Sequence, residues 1–142
     1  GSLSGHVVEL ERRGARGFRL QRITAAIDCG RAFDPDAVLA QLLGGTQFGL
    51  NAALQGEITL DEQGRLQQRH FHDYPLLRLA ALPPIELLRV PSSAPPGGVG
   101  EEGVATIGPA LANALLAAGS GPITQLPLHR AGWTLEVNDA HD

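Results

Sequence analysis

The sequence predicts an α+β fold, and three observations lead there. Short apolar, β-branched runs are joined by glycine-bearing turns. Two longer segments carry apolar residues at helical spacing. Strands and helices do not alternate regularly, as a wound parallel sheet would require. The reading is two β-hairpins and a further strand packed with two main helices, about residues 34–53 and 108–118, in one domain spanning residues 3–142. A chain of 142 residues is long enough to bury a core of its own.

Taken in order, His6–Leu10 (HVVEL) and Phe18–Ile27 (FRLQRITAAI) flank RRGARG and form the first predicted hairpin. After Asp28-Cys29-Gly30, Asp34-Pro35 supplies a helix start, with Asp34 as N-cap and Pro35 at the first helical position. Val38, Leu42, Gly45, Phe48 and Ala52 then recur every three or four residues and predict a buried helical face. Gly44, Gly45 and Gly49 lie inside this helix, where each costs about 1 kcal/mol relative to Ala. Either the helix breaks at Gly44-Gly45 or, the favoured reading, it runs unbroken because another helix or a cofactor comes very close to its backbone. Gly56–Asp61 and Leu66–Phe71 around Glu62-Gln63-Gly64 give the second predicted hairpin. Ile85–Val90 is a further strand, and PSSAPP (91–96) is an extended loop. Gly108-Pro109 opens the second predicted helix, whose buried face is Ile107, Leu111, Ala114, Leu115 and Ala118, with Gly119 at its end. A short strand is expected between Ile123 and Val137, and Trp133 is read as a packing residue.

Composition excludes several function classes. A net charge of −4 with no basic stripe argues against a nucleic-acid partner. The local cluster Arg12, Arg13, Arg16 and Arg19 has no apolar run after it, so it is not an export signal, and no segment has the length of a membrane span. Cys29 is the single cysteine, so an internal disulfide is impossible, and one thiolate alone does not hold a zinc ion or an iron–sulfur cluster. No histidine at a suggestive spacing makes it a nucleophile, and a buried thiol is the ordinary reading. His70, His72 and Asp73 form H-x-H-D on a predicted strand end, which would need a third ligand to hold a metal. The chain contains no methionine and opens Gly1-Ser2, read as a scar left by tag removal, so the chain is expected to be a piece of something longer.

GGVGEEGV, residues 97–104, is the stretch with the most chemistry. Its G-x-G-x-x-G spacing is that of a dinucleotide fingerprint, but the context is wrong. A six-residue Pro/Ser loop separates it from the strand, no acidic residue follows about twenty positions on, and two glutamates would face the phosphates. Two readings remain from the residues alone. One is a surface turn with solvated glutamates. The other is a glutamate held in a loop whose bare backbone admits another group, beside a helix N-terminus.

The string PPGGVGEEGVATIGPALANAL resembles the active-site segment of the molybdenum hydroxylases, the xanthine dehydrogenase and aldehyde oxidoreductase family. Specifically it resembles the large (β) subunit of isoquinoline 1-oxidoreductase-type enzymes, where the segment usually runs G-G-V-G-E-P-G and continues into P-A-(I/L)-A-N-A. AIDCGRAFDPDAVLAQLLGGTQFGLNAAL and GEITLDEQGRLQQRHFHDYPLLRLAALPPIELLRVPSS resemble the same subunit, so the likeness runs in order from about Val7 to Leu128. It implies the C-terminal part of a much longer subunit and a place in a larger molybdopterin-binding domain. By motif position it makes Glu101 the general base, with Gly98, Val99 and Gly100 beside the cofactor, and gives the H-D-Y segment no metal role. The implied cofactor of the full enzyme is molybdopterin cytosine dinucleotide, with none expected on this chain alone. The implied partners are the remainder of the large subunit, a small iron–sulfur subunit and a small-molecule substrate, an N-heteroaromatic or an aldehyde. Alone, the chain would be inactive and would self-associate. Glu102 stands where proline is usual; alternation along an extended loop points it away from Glu101, toward solvent or a basic partner. The rival reading is a stand-alone, non-catalytic module that binds a partner through its glycine loop.

Overall fold

The computed structural model describes residues 1–137. Two strands form a long antiparallel hairpin, β1 (Leu3–Arg13) and β2 (Gly17–Asp28), turning at Gly14 with φ of 61°. Along β1 the even positions face inward, so Val8 is buried while Val7 stands exposed. The other strand does not keep one parity. Phe18 and Leu20 are buried, and so are Ile23, Ala25 and Ile27. A register shift at Glu9/Leu10 reconciles them: Leu10 pairs with Leu20 and Glu9 with Arg22, so Gln21 is the extra residue of a bulge. Gln21 and Arg22 both point outward. Without this insertion half of the strand's apolar residues would face solvent.

Helix α1 (Pro35–Leu54) runs unbroken, and Asp34 Oδ1 accepts from the Ala37 N–H at 3.0 Å, as the predicted cap requires. Its buried face differs from the predicted one. Val38, Leu42 and Gly45 are inside, but Phe48 is 69% exposed and Ala52 is also outside; Thr46, Gly49, Leu50 and Ala53 take their places. The face rotates because the helix must lie against both the sheet and a second helix.

The second predicted hairpin does not form strands. Residues 56–71 make a short arm with one bridge, Leu60 to Leu66, closed by Asp61 N–H to Arg65 O at 2.9 Å and a left-handed Gly64. Ile58, Leu60, Leu66 and Phe71 are exposed, so no apolar face is buried that would extend the ribbon into strands. Next, β3 (Ile85–Arg89) pairs parallel with Ile23–Ile27 of β2. A short β4 (Thr134–Leu135) lies parallel to the Gly17–Phe18 end of the same strand, within the predicted tail. The result is a mixed four-stranded sheet with β2 at its centre and two helices on one face, an α+β fold.

Helix α2 spans Glu102–Ala117 and starts six residues before the predicted Gly108, so Pro109 lies inside it. Gly108 explains the tolerance, since proline clashes with the Cβ of the residue before it and Gly108 has none. The carbonyl of Ala105, which would otherwise accept from residue 109, belongs to an exposed residue and can be hydrated. Ile107, Leu111 and Leu115 are buried as predicted; Ala118 is exposed, and Gly119 ends the helix with φ of 84°. A main core of Phe18, Ile23, Leu50, Ile107, Leu111, Leu115 and Trp133 fills the space between helices and sheet. Trp133 packs edge-on to Phe18 with the Arg12 and Arg16 guanidiniums against its ring.

Candidate functional site

The strand end of β2 and residues 91–97 together place the glycine loop. The Arg31 N–H donates to Ala94 O at 3.0 Å and the Gly97 N–H to Cys29 O at 2.8 Å. Gly30 permits this contact: its φ is 71°, and a Cβ there would sit 2.2 Å from the Pro95 carbonyl. Val99 is half-buried and packs on the second apolar cluster of Ala25, Ile27, Cys29, Val38 and Leu42. With Val99 anchored inward, Gly98 and Gly100 remain exposed. Neither has a positive φ, and a Cβ at Gly100 would meet nothing within 4 Å. The fold itself therefore does not demand glycine at position 100.

Immediately after this loop the two helices cross at contact distance. A Cβ at Gly103 would lie 2.7 Å from Leu42 O and 2.8 Å from Thr46 N; one at Gly49 would lie 2.5 Å from Val104 O. Gly45 faces Gly103, where a Cβ would stand 3.1 Å from the Gly103 Cα. Gly45 and Gly49 thus serve the helix–helix approach, one of the two roles expected for the glycines of α1. Gly44 has open space instead and faces a cleft of about 560 Å³ lined by Gln41, Gly44, Gly45, Phe48, Gly100, Glu101, Val104 and Ala105.

Glu101 occupies the N-cap position of α2 without using its side chain as a cap. Its carboxylate lines the cleft, is exposed, and makes no hydrogen bond or ion pair with a described residue. Glu102 behaves differently. It is half-buried, and its Oε2 accepts from the Glu101 N–H at 3.1 Å, so it folds back over the helix start. Glu102, expected toward solvent or a basic partner, is instead occupied by the backbone. Of the cleft residues, the sequence points to Glu101, Gly100, Gly44 and Gly45, and nothing local marks Gln41, Val104 or Ala105. Phe48, expected in the core, lines the cleft instead; an aromatic on a helix face already supplied with smaller apolar residues is the signal for it.

Other candidates resolve plainly. His70 and His72 stack at 5.2 Å in a 3₁₀ turn (Phe71–Asp73), not on a strand. Asp73 accepts from the His70 and Arg69 N–H groups, each at 2.9 Å, which lowers its pKa. Among the described residues no group of three or more His, Cys, Asp or Glu is placed to hold a metal ion. Cys29 is a free, buried thiol. No helix among the described residues is long and apolar enough to cross a membrane.

The exposed Glu101 carboxylate thus lies in a cleft between the glycine loop and the crossing of the two helices. Residues 5–83 match the family of the molybdopterin cofactor-binding domain. The chain belongs to that family. It is 35% identical over 119 residues to the isoquinoline 1-oxidoreductase subunit beta of Brevundimonas diminuta, covering 84% of this chain and 15% of the relative. It is 33% identical over 111 residues to a membrane-bound aldehyde dehydrogenase [pyrroloquinoline-quinone] of Gluconacetobacter polyoxogenes, covering 78% and 14%. Quinoline 2-oxidoreductase from Pseudomonas putida 86 shares the fold, with a TM-score of 0.71 at 24% identity over 81% of this chain and 16% of that one. The chain thus spans about one sixth or less of the length of these relatives.

Proposed function

We propose that this chain is the part of a molybdenum hydroxylase large subunit that supplies the general base, Glu101, to the oxidation of an N-heteroaromatic or an aldehyde. The observation that carries the reading is the contrast between the paired carboxylates. Glu101 lies free in the cleft, and Glu102 is engaged with the helix start. A molybdopterin cofactor, as its cytosine dinucleotide, would supply the oxygen transfer and take up the electron pair when bound. The residues present fit such a group. Gly100 offers exposed backbone with no side chain against it, Gly98 is exposed with its carbonyl accepting from Ser2 Oγ, Val99 anchors the loop from beneath, and Gly44 leaves the cleft wall bare. Glu101 would take the proton released as the new carbon–oxygen bond forms, a role for which an unpaired carboxylate beside the reacting atoms is suited.

The remaining partners in this reading are the rest of the large subunit and a small iron–sulfur subunit that carries electrons away. The chain is proposed to be the C-terminal end of that subunit, and alone to bind no molybdenum and turn over no substrate. Exposed Phe33, Phe48, Phe71 and Leu79 are the large apolar side chains on which the proposed self-association of the isolated chain rests.

The test is substitution in the full-length enzyme. Glu101→Gln keeps shape and hydrogen bonding but cannot accept the proton, so the reductive half-reaction should slow by about a hundredfold or more with molybdenum content unchanged. Glu102→Gln should slow it far less. If Glu102→Gln is the crippling change, the base is the neighbouring carboxylate; if neither is, the loop is only a turn.

A further inference from the structure

His6 stands on β1 facing the helices, directly opposite Ala25 of β2. Its Nδ1 lies 2.7 Å from Thr106 Oγ1 on α2, and its Nε2 lies 2.8 Å from Thr46 Oγ1 on α1. The hydrogens follow by counting. Thr46 Oγ1 donates its one hydrogen to the Leu42 carbonyl at 2.7 Å, so toward His6 it only accepts. Nε2 therefore carries the ring hydrogen, and in the neutral ring Nδ1 accepts from Thr106 Oγ1. The line continues into the start of α2. Ser4 Oγ donates to the Glu102 carbonyl at 2.7 Å and lies 3.4 Å from Thr106 Oγ1.

The surroundings favour the neutral ring. From α1 it meets Thr46, from α2 Thr106, from β2 the apolar Ala25 flanked by Ile23 and Ile27, and on its own strand Ser4 and Val8. The nearby Glu102 carboxylate is turned onto the Glu101 N–H, and no charged side chain among the described residues pairs with the ring. Burial accordingly lowers the His6 pKa. Protonation would also make Nδ1 a donor. Thr106 would then have to turn its hydrogen toward the Glu102 carbonyl or Ser4 Oγ, each 3.4 Å away, in place of the 2.7 Å contact to the ring.

We propose that His6 is a positioning residue: as the Nε2–H tautomer it bridges Thr46 and Thr106 across the glycine crossing and holds the first turn of α2, and with it Glu101, against the cleft. The clause about Glu101 rests on the function proposed above; the bridge does not. The test uses uniform ¹⁵N labelling of the 142-residue chain, with the His6 ring nitrogens and the backbone amide shifts of residues 101–106 followed against pH. Expected are an Nε2–H tautomer at neutral pH, a His6 midpoint below the ordinary value of about 6.5, and amide shifts in 101–106 with the same midpoint. Thr106→Val should abolish the shared midpoint in those amides, and Thr106→Ser, which keeps the hydroxyl, should restore it. An Nδ1–H tautomer, amides that ignore the His6 titration, or a serine variant that behaves like valine would each overturn the proposal. Glu101→Gln proving silent in the holoenzyme would remove the proposed base and leave these readouts standing.

Discussion

Two groups of glycines lie within a few residues of each other and obey different rules. At the crossing, Gly49 and Gly103 are glycine because backbone from the facing helix occupies the space a Cβ would need, at 2.5 to 2.8 Å. In the loop, Gly100 has no neighbour within 4 Å and no left-handed φ, and at Gly98 the nearest contact is the flexible end of Glu102, at 3.4 Å. The first group is explained inside the chain. The second is not, and its bare backbone beside a free carboxylate is the feature on which the proposed cofactor contact rests. The difference teaches that a glycine count is not evidence of a ligand; space around each glycine is.

The largest effect expected from breaking this contrast is at the crossing. Gly103→Ala forces a methyl into the α1 backbone, and overpacking of that kind should destabilise the chain by about 2 to 3 kcal/mol in urea unfolding. A Gly103→Ala chain as stable as the parent would mean that the helices do not cross this closely. Gly45→Ala is a closer contest. Its Cβ would stand 3.1 Å from the Gly103 Cα, and alanine recovers about 1 kcal/mol of helix propensity, so the two nearly cancel and the net change should stay within about 1 kcal/mol. Smallest of all, Gly100→Ala should change stability by less than about 0.5 kcal/mol, because nothing in the chain touches that position. In the full enzyme the same substitution should lower molybdenum content, which metal analysis would read directly. Full loading of the Gly100→Ala enzyme would show that the loop backbone is not approached there.

Much of this architecture was legible because it is written in local chemistry. Asp34-Pro35 caps α1 through its own side chain and ring, and needs no distant partner. Elements failed where a distant partner decides. Residues 56–71 have the alternation and the turn glycine of a hairpin, yet with Ile58, Leu60 and Leu66 exposed there is no packing to fix strands. The start of α2 was misplaced because Pro109 is a strong local signal for a first turn, overridden by the burial of Gly103 and Ile107. The β2 bulge was in principle readable: inward apolar residues fall on even positions to Leu20 and odd positions from Ile23, and only an extra residue lets both face one core.

By itself the sequence determined the α+β class, the α1 cap, the strand at Ile85 and, through the loop motif and its surroundings, the family and the candidate glutamate. Tertiary structure alone decided which of two adjacent carboxylates is free, which glycines are forced, and that a histidine on the first strand joins both helices. The physical reason is range. Caps, turns and periodicity act over about four residues and are visible in any window of the chain. The Ser4, His6, Thr46 and Thr106 contacts span 40 to 102 positions and depend on where two helices come to rest against a sheet.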